Sequence, residues 1–127
     1  MANLWLLTAA VSGFLSVAIG AFGAHGLKTV LDEYGRAIFE TAVHYQMFHT
    51  LALMAIGLLQ AIYPKQRFQL AGWGFLLGIV LFSGSLYLLA VSGIKWLGGV
   101  TPVGGTAFLL GWGALAHRAL RLRNDRG

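Results

Sequence analysis

No cysteine occurs in the chain, which excludes disulfides, thiolate metal sites and thiol nucleophiles. Charge is also scarce: charged residues are 10% of the 127, apolar residues are 57%, and the mean hydropathy is +0.73. A soluble domain is about one quarter charged, so the sequence reads as a membrane protein before any motif is considered. A nucleophile–base–acid set, a phosphate loop and a nucleotide fingerprint are likewise missing, and the run "GGTAFLLG" falls inside an apolar segment, where its glycines serve packing. The length suits one compact domain and leaves little room for a soluble catalytic domain beside the apolar segments. These absences lead to the expectation of a non-enzymatic protein with no cofactor and no metal.

The net charge of +5 does not point to nucleic acid. Arg118, Arg121, Arg123 and Arg126 lie in one terminal segment directly after an apolar run, where such a cluster meets anionic lipid headgroups and fixes orientation.

What is present is apolar length. Four segments, about 3–24, 37–63, 70–92 and 102–120, each reach the roughly 20 helical residues needed to cross a hydrocarbon core. They lack the period-2 alternation of barrel strands, so each is an expected α-helix. The fold class is therefore all-α: a single integral-membrane domain, built as a four-helix transmembrane bundle. In "YPKQRFQ" (63–69), Pro64 stops the second span and two cations resist burial. In "SGIKWLGGVTP" (92–102), Gly93 fits a left-handed helix cap, Thr101 an N-cap and Pro102 a first helical position.

The first connection differs. Leu27, Val30, Leu31, Tyr34 and Ile38 keep a helical spacing while Lys28, Asp32, Glu33 and Arg36 face away, which predicts a short amphipathic surface helix over about 27–34. "GAFGA" (20–24) resembles a signal cleavage site, but no Lys or Arg precedes the first apolar run, and that run is longer than a signal core. A retained first span is expected. Six basic residues, Lys65, Arg67, Arg118, Arg121, Arg123 and Arg126, share a side with both termini, against Lys28, Arg36 and Lys95 opposite. This asymmetry places both termini in the cytoplasm of an inner-membrane protein, with a basic tail over 121–127.

Several phrases together carry a resemblance: "GAFGAHGL" (20–27), "FETAVHYQMFHTLALM" (39–54) and "FSGSLYLLAVSGIKWLGGVTPVGGTAFLLGW" (82–112). They resemble the YgdD/YwdK-like small membrane proteins, the domain-of-unknown-function family 423, which has mitochondrial relatives. The resemblance covers nearly the whole chain and implies a compact four-span inner-membrane protein. It carries no established activity and therefore no catalytic residues.

Polar residues inside a span are functional candidates by default. With the deduced topology they gather in the outer half: His25, His44, Tyr45, Gln46, His49, Ser83 and Tyr87, with Glu40, Ser85, Thr101 and Thr106 nearby. Thr41, Tyr45 and His49 share one helical face and Ser83 and Tyr87 another, and these stripes are expected to meet. The plain reading is interhelical hydrogen bonding. The sharper one is an outer-leaflet pocket for a lipid, quinone or similar amphiphile, anchored by His49 and Tyr45. Proton or ion movement is a third reading. A metal site would need His25 and Glu40 beside His44, because His44 and His49 stand roughly 140° apart on one helix; haem between facing histidines is a comparable guess, and His117 lies at the opposite face.

Small residues recur every four positions at Ser16, Gly20 and Ala24, at Gly74 and Gly78, and at Ala107 and Gly111, a pattern for close helix packing. Trp5, Trp73 and Trp96 fall near helix ends and suit an interfacial belt, with Trp112 as an anchor or a core ring. The expected role is a structural or accessory membrane subunit that packs with itself or within a larger membrane complex. Lipid or quinone binding is the alternative; membrane lipids are the expected surroundings, and nucleic acid is not an expected partner.

Overall fold

Hydrocarbon leaves backbone polar groups no partner but each other, and the chain answers with helices. The computed structural model describes residues 2–126, with side chains through residue 122. Its four long helices are α1 (Ala2–His25), α2 (Glu33–Ile62), α3 (Gln69–Ser92) and α4 (Thr101–Arg126), all long and apolar enough to cross a membrane. No strand occurs among the described residues. The helix ends fall within one residue of the segment limits read from hydropathy, except at the start of α2 and the end of α4. The expected tail continues α4 through Arg126, and the side chains of Arg123 and Arg126 lie outside the described residues.

The amphipathic helix expected over 27–34 is not what the first connection forms. Residues 26–31 are turns and bends, with one short run of bonds from the Val30 and Leu31 amides to the Leu27 carbonyl. The helix cannot run through Asp32, which is extended (φ −74°, ψ −179°) and accepts the Gly35 amide at 2.6 Å, so it caps α2 rather than continuing a surface helix. Glu33 follows in the first turn, where a carboxylate complements the helix dipole. The helical spacing that links Leu27 and Leu31 to Tyr34 and Ile38 straddles this cap.

The third helix also departs from a plain α-helix. Ile79–Ser83 forms a π-turn, in which the Gly84 amide reaches back to the Ile79 carbonyl. A π-turn accommodates one extra residue and rotates the rest of the helix about its axis. Here the backbone meets Gly104 of α4, where an added Cβ would stand 2.2 Å from the Phe82 nitrogen. Only glycine permits so close a backbone approach.

α2 and α3 form the centre, with α1 packed mainly along α2 and α4 mainly along α3. Gly74 and Gly111 meet back to back, since a Cβ on Gly74 would fall 2.8 Å from the Gly111 Cα, and Gly78 receives the Phe108 ring. On α1, Ser16 is buried, Gly20 makes an ordinary contact with Val43 and Ala24 is exposed; the closest approach is instead at Gly23, against Phe39. The larger core joins Trp5, Leu53, Ile56, Phe68, Phe75 and Phe108.

Trp5 does not belong to an interfacial belt. It is fully buried, because Gly72 of α3 leaves room for the indole, and it meets Trp73 edge to face at 5.3 Å. At the α2–α3 turn, Gln60 donates to the Gln66 carbonyl at 2.7 Å and accepts the Phe68 amide at 3.2 Å, so one side chain satisfies backbone groups that the turn would otherwise leave orphaned. Gly93 takes the left-handed conformation expected of it (φ +71°). The Thr101 hydroxyl lies 2.7 Å from that of Ser85 and ties the start of α4 to α3.

Candidate functional site

Two environments divide the polar residues of α2. One is a closed interhelical network. The Tyr87 hydroxyl donates to the Gln46 side-chain carbonyl at 2.6 Å, and the Gln46 amide reaches the Ser12 carbonyl and hydroxyl at 3.2 and 3.3 Å. Ser12 and Thr50 hydroxyls stand 2.7 Å apart, and Ser83 donates to the Ala42 carbonyl at 2.8 Å. Three helices are thereby linked by groups that lipid would leave unsatisfied.

The second environment is a lateral groove of about 740 Å³ between α2 and α4. Its walls are Tyr45, Phe48 and His49 from α2 and Phe108, Leu109 and Trp112 from α4, with Phe82 of the π-turn as its floor. Pro102, Gly105, Thr106 and His44 surround the end nearest the first connection. From Pro102 to Trp112 the groove follows about 15 Å of helix, roughly half the hydrocarbon thickness.

His49 is built into this wall rather than presented to it. Its Nδ1 lies 2.8 Å from the Tyr45 carbonyl, and the Trp112 indole N–H donates to its Nε2 at 3.0 Å. An indole only donates, so Nε2 accepts, Nδ1 carries the proton, and the ring is a neutral imidazole with both nitrogens engaged. It stacks on Phe108 at 3.6 Å between centroids and is 4% exposed. Tyr45 is 44% exposed, and neither its hydroxyl nor the exposed His44 ring bonds to another described residue.

The seven residues singled out in the sequence therefore fall into three places. Gln46, Ser83 and Tyr87 join the closed network; His44, Tyr45 and His49 line the groove. His25, exposed at the end of α1, lines neither. His44 also borders a separate notch of about 330 Å³ at the α1 end, with Lys28, Arg36 and Glu40.

The expected meeting of stripes is rotated by one residue. Ala42 and Gln46, not Thr41 and Tyr45, face Ser83 and Tyr87, which turns Tyr45 and His49 toward α4. Sequence reasoning also passed over Ser12, Thr50, Phe82 and Phe108. Ser12 and Thr50 carried a usable signal, since Ser12 precedes Ser16 by four positions and Thr50 follows Gln46 by four, each sharing a buried face. The aromatic floor carried none, because phenylalanine is common on every apolar face.

The family model described as "Protein of unknown function (DUF423)" matches residues 19–105. A UPF0382 membrane protein of Haemophilus influenzae is 42% identical over 98% of this chain and 99% of its own length. A second, from Staphylococcus haemolyticus, is 44% identical over 87% of this chain and 89% of its own. The UPF0382 inner membrane protein YgdD of Escherichia coli is 42% identical over 93% of this chain and 90% of its own. No solved structure matches.

Proposed function

The chain belongs to the DUF423 family, and on that premise we propose a binding role without catalysis: the groove between α2 and α4 takes up a membrane amphiphile, a lipid, quinone or similar molecule. The observation that carries this reading is a groove of about 740 Å³, walled by aromatic rings, with the Tyr45 hydroxyl and the His44 ring, neither bonded to another described residue, toward its polar end. Sites for small molecules share this character, apolar walls with few polar groups and volumes of about 300–1,000 Å³. His49 and Trp112 satisfy each other and hold the wall in place; the hydrogen-bonding anchors are Tyr45 and His44.

Native mass spectrometry after mild extraction tests the reading. The parent protein retains an amphiphile, and Gly105→Leu, which grows a side chain toward Phe82 in the groove, releases it. Gly113→Leu, on the same helix with nothing within 4 Å, keeps it. Tyr45→Phe weakens retention about fivefold, the equivalent of one hydrogen bond of ~1 kcal/mol. A parent protein with nothing bound, or equal retention in the two glycine variants, overturns the reading.

A structural or accessory subunit is the second reading. It is favoured by α1 and α4, which leave far more of their surface unburied than α2 and α3, with Phe14 of α1 75% exposed. Co-purifying chains or a stable dimer in the same experiment would support it. The distribution of basic residues favours an orientation with both termini in the cytoplasm.

A further inference from the structure

At the end of the molecule opposite the groove's polar end, α3 and α4 enclose a notch of about 330 Å³. Arg67 lies just before α3, and His117 and Arg118 lie on α4; Phe68, Leu70 and Ala114 supply apolar lining. No carboxylate among the described residues borders it. Among the described residues the acidic side chains, Asp32, Glu33 and Glu40, all sit at the far end of α2.

Arg67 and Arg118 border one notch because the helices that carry or follow them pack closely. The Gly74–Gly111 contact brings α3 and α4 together, and these helices deliver their basic ends to one notch. A guanidinium keeps its charge at any ordinary pH, so two of them bordering one space favour an anion between them. Phosphate suits this geometry, since the arginine fork pairs two of its oxygens at once. α3 has no side-chain cap, and its positive end adds to the same field.

We propose that this notch is a site for the phosphate headgroup of an anionic phospholipid, separate from the groove and independent of what the groove holds. Arg67 and Arg118 bind the phosphate, His117 adds a ring donor, and the apolar lining accommodates the first carbons of the lipid. The notch lies at the ends of two membrane-crossing helices, the depth at which headgroups sit.

The test uses the full-length protein in a neutral detergent, titrated with phosphatidylglycerol, phosphatidate or phosphatidylcholine and read by native mass spectrometry. The two anionic lipids should bind at least about tenfold more tightly than phosphatidylcholine. The pair Arg67→Gln with Arg118→Gln should abolish that preference, whereas Lys65→Gln with Arg121→Gln, an equal loss of charge outside the notch, should keep it. Equal losses in the two pairs would show unspecific attraction and overturn the site. So would equal affinity for all three lipids. Inorganic phosphate is the remaining arm: competition at millimolar concentration equal to that of the lipids would assign the notch to a soluble anion and overturn the lipid. An unchanged helical circular-dichroism spectrum and melting temperature serve as the folding control; if the glutamine pair fails to fold, Arg67→Lys with Arg118→Lys decides, since it keeps the charge but removes the fork: loss of most of the preference supports the site, and full retention overturns it.

Discussion

His49 and Gln46 lie one helical turn apart and spend their polar atoms differently. The histidine closes a local circuit with the Tyr45 carbonyl and the Trp112 indole, so its ring forms a fixed piece of wall. The glutamine instead uses both ends of its amide, giving to Ser12 and accepting from Tyr87, and so couples α1 to α3 through α2. Bonds of this kind between transmembrane helices are worth about 0.6–1.7 kcal/mol. Tyr87→Phe and Gln46→Leu should each lower the melting temperature in detergent, and their double-mutant cycle should return a coupling in that span. A coupling of zero would mean that the 2.6 Å contact contributes no net stability.

At the scale of the element, the π-turn sets which side chains of α3 face α2. Each residue rotates a helix by about 100°, so the additional residue within Ile79–Ser83 decides whether Tyr87 points at Gln46. Deleting Leu81 should let the segment relax to an α-helix. The Tyr87–Gln46 coupling should then vanish while the protein stays helical by circular dichroism; a coupling that survives deletion would show that the register is set elsewhere. The same element marks the limit of what the sequence discloses. Four spans were legible because apolar length is a property of each segment alone, and Gly93 because a left-handed cap is local. The π-turn was not, since it arises where Gly104 of another helix admits the Phe82 backbone. For the same reason the polar residues of α2 were legible as a group, but their division between network and groove was hidden. That division depends on the rotation of α2 against two neighbours. The surface helix was misread because apolar spacing continued across Asp32, whose capping role was itself readable from "DEYG", a capping residue with an acid in the first turn.

The described side chains give the molecule two ends of different character, with Asp32, Glu33, Glu40 and Lys28 at one and the Arg67–Arg118 notch at the other. The proposed orientation is directly measurable because no native thiol interferes. Lys28→Cys in intact cells should react with a membrane-impermeant maleimide, and Lys65→Cys only after permeabilisation; the reverse pattern would invert the topology. The groove between α2 and α4 opens sideways, with Phe48 60% and Leu109 73% exposed at its lips. In a bilayer it therefore faces acyl chains rather than water, and lipid tails are as apolar as its walls. Filling it is an exchange of one hydrocarbon for another, governed by mole fraction in the membrane, and dehydration of apolar surface adds nothing. Selectivity must come from the stiffness of the stacked rings and from the two polar groups at one end, and any affinity measured against an aqueous reference would mostly report partitioning.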